Sequence, residues 1–99
     1  MIRHVVTFRW IDGVDDAAIE RVEQALGTLP GAVDTIRRYQ FGRDLGLNPG
    51  NAEFVVVADF DDEPGYLAYR DHPAHQEIIR RDIAPIIAER TAVQVAFDA

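Results

Sequence analysis

Hydrophobic and polar positions alternate through the first ten residues. Ile2, His4, Val6, Phe8 and Trp10 share one side of an extended chain, and Arg3, Val5, Thr7 and Arg9 share the other. That period of two predicts a strand over Ile2–Trp10, with His4 the polar exception on its face. Residues 11–16 form a turn in which Asp15 or Asp16 can cap a helix. Over residues 17–26 the period changes: Ile19, Val22, Leu26 and Leu29 make a stripe at helical spacing, and Glu20, Arg21, Glu23 and Gln24 lie off it. Leu29-Pro30-Gly31 stops the helix. A second strand is predicted over residues 33–42, with Thr35, Arg37, Tyr39 and Phe41 on one side, followed by a Gly-, Asn- and Pro-rich loop over residues 44–51. Phe54–Phe60 is the clearest strand. Its two faces, Phe54/Val56/Ala58/Phe60 and Val55/Val57, are both apolar, so it requires cover on both sides.

Beyond it, Asp61 or Asp62 can cap a helix with Pro64 in its first turn. That helix carries Tyr66, Leu67 and Tyr69 and ends near His72, because Pro73 disfavours helical backbone in the residue before it. A further helix starts at about residue 74. His75, Ile79, Ile83 and Ile87 recur along it at i+4, Ile78 and Ile86 flank them, and Pro85 should kink or interrupt it. The last strand is predicted over residues 91–97, with Val93, Val95 and Phe97 on one face. The order β-α-β-β-α-β is a ferredoxin-like α+β pattern: one domain over residues 1–99, a four-stranded antiparallel sheet with helices on one face. The other face, with Val5, Thr7, Val55 and Val57, is too apolar to leave in water, and a second copy packed sheet to sheet is the expected cover.

Composition narrows the function classes. The chain has 99 residues, 47% hydrophobic and 27% charged, which is globular rather than disordered. A net charge of −7 opposes binding to nucleic acid or to an anionic membrane, and the pairs Arg37-Arg38 and Arg80-Arg81 read as solvated faces. No apolar run reaches membrane-span length, and the opening Ile2-Arg3-His4-Val5 lacks a signal-peptide layout, so a cytoplasmic location is expected. With no cysteine, disulfide and thiolate chemistry are excluded.

Proton-handling groups concentrate in Tyr69-Arg70-Asp71-His72-Pro73-Ala74-His75, which holds two of the three histidines. His75 heads the isoleucine stripe. It is either a general base able to remove a proton beside a carbonyl or a helix-start histidine satisfied by a backbone group. Tyr69 either donates a hydrogen bond to a developing enolate or packs with its hydroxyl at the surface. His4 is either a core histidine or the third member of the same site, and His72 belongs to the helix junction. His72 and His75 with His4, Asp71 or Asp82 could supply metal ligands, but Pro73 breaks the helical register and spacing assigns no third ligand. Neither a metal nor a cofactor is expected. Residues 46–50 do not form a phosphate loop. Phe8, Trp10, Phe54, Phe60, Tyr66 and Leu67 either line an apolar pocket or fill the core. An open pocket costs a small domain stability, so a large cavity beside His75 would mark function.

Across nearly its whole length the chain resembles the stress-responsive A/B barrel (Dabb) family of dimeric α+β barrels. The likeness lies in Ile2-Arg3-His4-Val5-Val6, in Gly42-Arg43-Asp44, in the apolar third strand ending Asp59-Phe60, and above all in Tyr69-x-x-His72-Pro73-x-His75. The resemblance implies a homodimer whose two sheets form a barrel. Some members resemble polyketide cyclases, which close poly-β-keto chains by aldol condensation without a cofactor. In those, a tyrosine and a histidine act in the chemistry, and by position they fall on Tyr69 and His75, with His4 near the same pocket. The chain departs from the cyclase pattern at Phe54, where those members carry another histidine. The resemblance thus implies a cofactor-free lyase or cyclase for a keto or polyketide-like substrate. In it His75 and Tyr69 are catalytic and His4 contacts the substrate; from the apolar pattern, Phe8, Phe54 and Tyr66 are expected to contact it as well. The alternatives are a non-catalytic dimer that binds a small apolar ligand and, by fold analogy, a cofactor-free oxygenase.

Overall fold

A computed structural model describes residues 1–99. The elements are β1 (Ile2–Trp10), α1 (Asp16–Leu26), α2 (Leu29–Ala32), β2 (Ile36–Arg43), β3 (Phe54–Phe60), α3 (Glu63–Asp71), α4 (Pro73–Ile78), a π-helical segment (Ile79–Ile83) and β4 (Ile87–Ala96). The four strands form one antiparallel sheet in the order β2-β3-β1-β4, the ferredoxin-like arrangement. Of the paired capping aspartates, Asp15 caps α1, accepting from Ala18 N at 2.9 Å, and Asp62 caps α3, accepting from Gly65 N at 2.9 Å.

All helices lie on one face of the sheet. There Val6, Phe8 and Trp10 of β1 and Phe54, Val56 and Phe60 of β3 pack with Val22, Leu26 and Leu29 into the buried core. β4 is the edge strand, and its inward residues Arg90, Ala92 and Gln94 stay exposed. The helical layer leaves room beside that edge. On the opposite face, Val57 of β3, Val5 of β1 and Val93 of β4 stand in one cross-strand row. Ion pairs close this face at both ends: Arg3 grips Asp59 through two hydrogen bonds of 2.8 and 2.9 Å, and Arg9 meets Glu89 at 3.2 Å. Hydrogen bonding from Arg3 holds the Asp59 carboxyl below its ordinary pKa.

Four sequence expectations need correction. Leu29-Pro30-Gly31 does not simply stop α1. The helix ends at Leu26, and these residues form the short α2, with Pro30 in its first turn. The second strand starts at Ile36, and a bulge between Ile36 and Arg38 leaves Arg37 as the extra residue. Ile36, Tyr39 and Phe41 therefore face the helices, while Arg37 bonds Asp61 at 3.0 Å. The isoleucine stripe does not run along one helix. After Ile78 the chain widens into the π segment, closed by Ala84 N donating to Ile79 O at 2.8 Å. Pro85 cannot donate the next bond, and Ile87 joins β4 opposite Trp10. The last strand thus begins at Ile87, four residues earlier than its Val93/Val95 alternation suggests, and ends at Ala96.

Candidate active site

The corner between α3 and α4 sets the site. His72 precedes Pro73 and adopts extended backbone (φ −63°, ψ 134°), as its neighbour requires. Its Nδ1 accepts from Ala74 N at 3.0 Å and caps α4, so this imidazole is committed to the turn. The reversal folds His75 back beneath α3, where its ring lies on Tyr69 with centroids 4.2 Å apart.

Backbone geometry sets the tautomer of His75. Its Nδ1 lies 3.0 Å from the carbonyl oxygen of Arg70. A carbonyl only accepts, so Nδ1 carries the proton and Nε2 of the neutral ring keeps its lone pair. The backbone satisfies one nitrogen and by doing so frees the other as a base. Burial lowers the pKa of His75 below the ordinary 6.5. The Arg70 carbonyl opposes that shift, and the charges of Arg90 and His72 add to it. The ring is neutral at pH 7.

His4 has the opposite tautomer. It is 4% exposed, and β4 places Gln94 directly across from it. Gln94 Nε2, which only donates, lies 2.8 Å from His4 Nδ1, so Nδ1 accepts and the proton of the neutral ring resides on Nε2. Burial, then the charges of Arg90 and His75, push its pKa down to about 4. Stability should follow. Between pH 6.5 and 4 the unfolded chain binds a proton at His4 that the folded chain refuses, so lowering the pH costs stability. We expect urea unfolding to show a loss of about 3 kcal/mol at this site between pH 7 and pH 4, and His4→Gln to flatten the profile by that amount. An equally steep profile in the variant would remove His4 as the cause.

Both imidazoles line a cavity of about 460 Å³ between the β1–β4 edge and the helices, a size usual for small-molecule sites. Val6 and Phe8 form its floor, and Ile79, Ile83 and Ile87 its apolar wall. Tyr66, Tyr69, Arg70 and Arg90 complete the polar side. Tyr69 is 2% exposed, and its hydroxyl meets that of Tyr39 at 3.0 Å. Burial raises the Tyr69 pKa to about 12, against the lowering effect of that hydrogen bond, and burial beside Tyr69 raises Tyr39 as well.

Of the six residues singled out in the sequence, His4, Phe8, Tyr66, Tyr69 and His75 line this cavity. Phe54 does not. It is 1% exposed and packs against Phe8, Trp10 and Phe41, because β3 lies between β1 and β2, away from the β4 edge. Sequence reasoning missed Gln94, Tyr39 and Arg90. The alternation of β4 carried a signal for two of them: if Val93 and Val95 face outward, Gln94 and Arg90 must face the helices. No three His, Asp or Glu side chains converge in a metal-holding group, and no helix is long and apolar enough to cross a membrane.

Comparison with known proteins agrees with this architecture. The profile of the family described as "Stress responsive A/B Barrel Domain" matches residues 2–97. No curated protein matches the sequence. A dimeric ferredoxin-like protein of unknown function from Thermobifida fusca YX superposes with a TM-score of 0.90 at 49% identity, over 97% of this chain and 90% of its own. A Dabb family protein from Mesorhizobium loti does so with a TM-score of 0.81 at 20% identity, over 99% and 97%. A hydroxynitrile lyase from Passiflora edulis gives 0.85 at 16% identity, over 98% and 93%. At such identities the last two comparisons show the fold alone.

Proposed function

We propose that this chain, which belongs to the stress responsive A/B barrel family, is a cofactor-free acid/base enzyme acting as a lyase or cyclase on a small keto substrate. One observation carries the reading: the buried His4 and the half-buried His75 of one cavity are held in opposite tautomers, a lone pair on His75 Nε2 and a proton on His4 Nε2. A base and a hydrogen-bond donor are what proton removal beside a carbonyl needs. In the proposed step His75 Nε2 takes the α-proton, and the C–H electron pair moves into the enolate. The enolate oxygen receives hydrogen bonds from His4 Nε2–H and from Tyr69. When Tyr39 donates within the tyrosine pair, the proton of Tyr69 is free for the substrate. The enolate carbon then attacks a second carbonyl of the same substrate, and protonated His75 returns its proton to the resulting alkoxide. The apolar wall excludes water and lowers the effective dielectric around the charge that develops. The name of the Passiflora neighbour puts lyase chemistry on this fold.

The assembly proposed with it is a homodimer joined through the outer sheet faces. Val93 and Val95 there are 53% and 45% exposed in the single chain, and the Thermobifida relative is described as dimeric.

Exchange of α-protons for deuterium in a panel of apolar ketones, followed by proton NMR in D2O, tests the chemistry. Only neutral His75 acts as base, and its pKa lies below 6.5. The rate should therefore be flat from pH 8 to about pH 6.5 and fall with a single acid limb below it. No acceleration over buffer for any ketone, or a limb centred above 6.5, would sink the reading. If ketones bind without exchange, the cavity belongs to a non-catalytic binding protein.

A further inference from the structure

β4 brings a second kind of polar group to the cavity. Arg90 stands opposite Phe8 on the inward face of the strand and lines the cavity with Arg70 and Glu89. Those two are already neutralised: Arg70 bonds Asp71 at 2.9 and 3.1 Å, and Glu89 meets Arg9 at 3.2 Å. Arg90 forms no ion pair, although the chain holds 17 carboxylates to 10 basic residues. Its charge acts on His4, His75 and Tyr69 alike, which line the same cavity. Ile79, Ile83 and Ile87 line it too. The cavity is amphiphilic, lined by a permanent cation and by hydrocarbon.

We propose that Arg90 binds a carboxylate on the ligand and that the cavity is built for apolar keto acids. The acid head sits on the guanidinium, and the chain lies along the isoleucine wall. A guanidinium fork matches a carboxylate in a bidentate way that an ammonium does not. In a protein of net charge −7, a local unpaired cation is also what allows an anion to dwell there. The keto group in this assignment rests on the acid/base reading of His75; the acid head does not.

Calorimetric titration with octanoate and, separately, with 1-octanol tests the proposal. The probes share a chain and differ in charge. We expect octanoate to bind the native protein more tightly than octanol. In Arg90→Gln octanoate should weaken about tenfold or more while octanol is unchanged, and Arg90→Lys should recover part of the loss. Arg90 is exposed on an edge strand, and thermal melts of both variants establish that they fold. Equal octanoate affinity in the native protein and Arg90→Gln, octanoate no tighter than octanol, or no binding of octanoate at all would each overturn the assignment. His75→Ala should still bind octanoate. In the native protein, octanoate binding without any ketone exchange would count against the base alone, and ketone exchange without octanoate binding against Arg90 alone.

Discussion

His75→Ala is expected to lower the rate of α-proton exchange by about 10²–10⁴-fold, the usual contribution of a positioned general base. The expectation follows from where the lone pair sits. Arg70's carbonyl accepts the hydrogen bond that Nδ1 donates at 3.0 Å, so the basic nitrogen is presented at a defined place rather than shared between two tautomers. Tyr69, whose ring lies against it with centroids 4.2 Å apart and a tilt of 33°, limits its rotation. The loss should appear in kcat with substrate affinity little changed, because the apolar wall that holds the substrate is untouched. His75→Gln separates position from basicity, since it can keep the bond to Arg70 but cannot accept a proton at neutral pH. Both variants should be inactive. Near-native exchange in either would show that another group removes the proton, and His4 would be the next to replace.

The second large effect is expected on the sheet face away from the cavity. Val57→Asp should turn a dimer into a monomer in sedimentation velocity at micromolar concentration. Val57 stands in the row with Val5 and Val93, between the Arg3–Asp59 and Arg9–Glu89 pairs that border the face. In a two-fold dimer the substitution places two carboxylates in the same apolar interface. An unpaired buried charge costs several kcal/mol, which corresponds to a dissociation constant raised on the order of 10³-fold or more. Val93→Asp on the edge strand offers the same test at a position 53% exposed in the single chain, where the fold of the monomer is not at risk. A native protein that sediments as a monomer, or variants that remain dimeric, would place the interface elsewhere. If monomeric Val57→Asp keeps its exchange activity, the cavity functions within one chain. That is the expected result, since His4 and His75 line the cavity from the same chain.

Much of this protein was determined locally. The period of two in β1 and β3, the helical stripe of α1, the capping aspartates and the arrest of α3 before Pro73 all follow from short-range chemistry. Each depends on side-chain direction, backbone sterics or a single hydrogen bond to a nearby residue. The ferredoxin-like order follows from those elements in sequence, and the motif around Tyr69 and His75 pointed to the site. Only the tertiary structure decided how the parts share space. Whether Ile87 continued a helix or opened a strand depended on Trp10, nearly eighty positions away, and the face taken by Arg37 depended on a bulge against β3. Phe54 left the site because it packs among Phe8, Trp10 and Phe41 inside the sheet's core face. The tautomers of His75 and His4 were set by Arg70 and Gln94, partners that spacing cannot identify. A proton's position on an imidazole is a property of what faces each nitrogen. Here one partner comes from the turn before and the other from the opposite end of the chain.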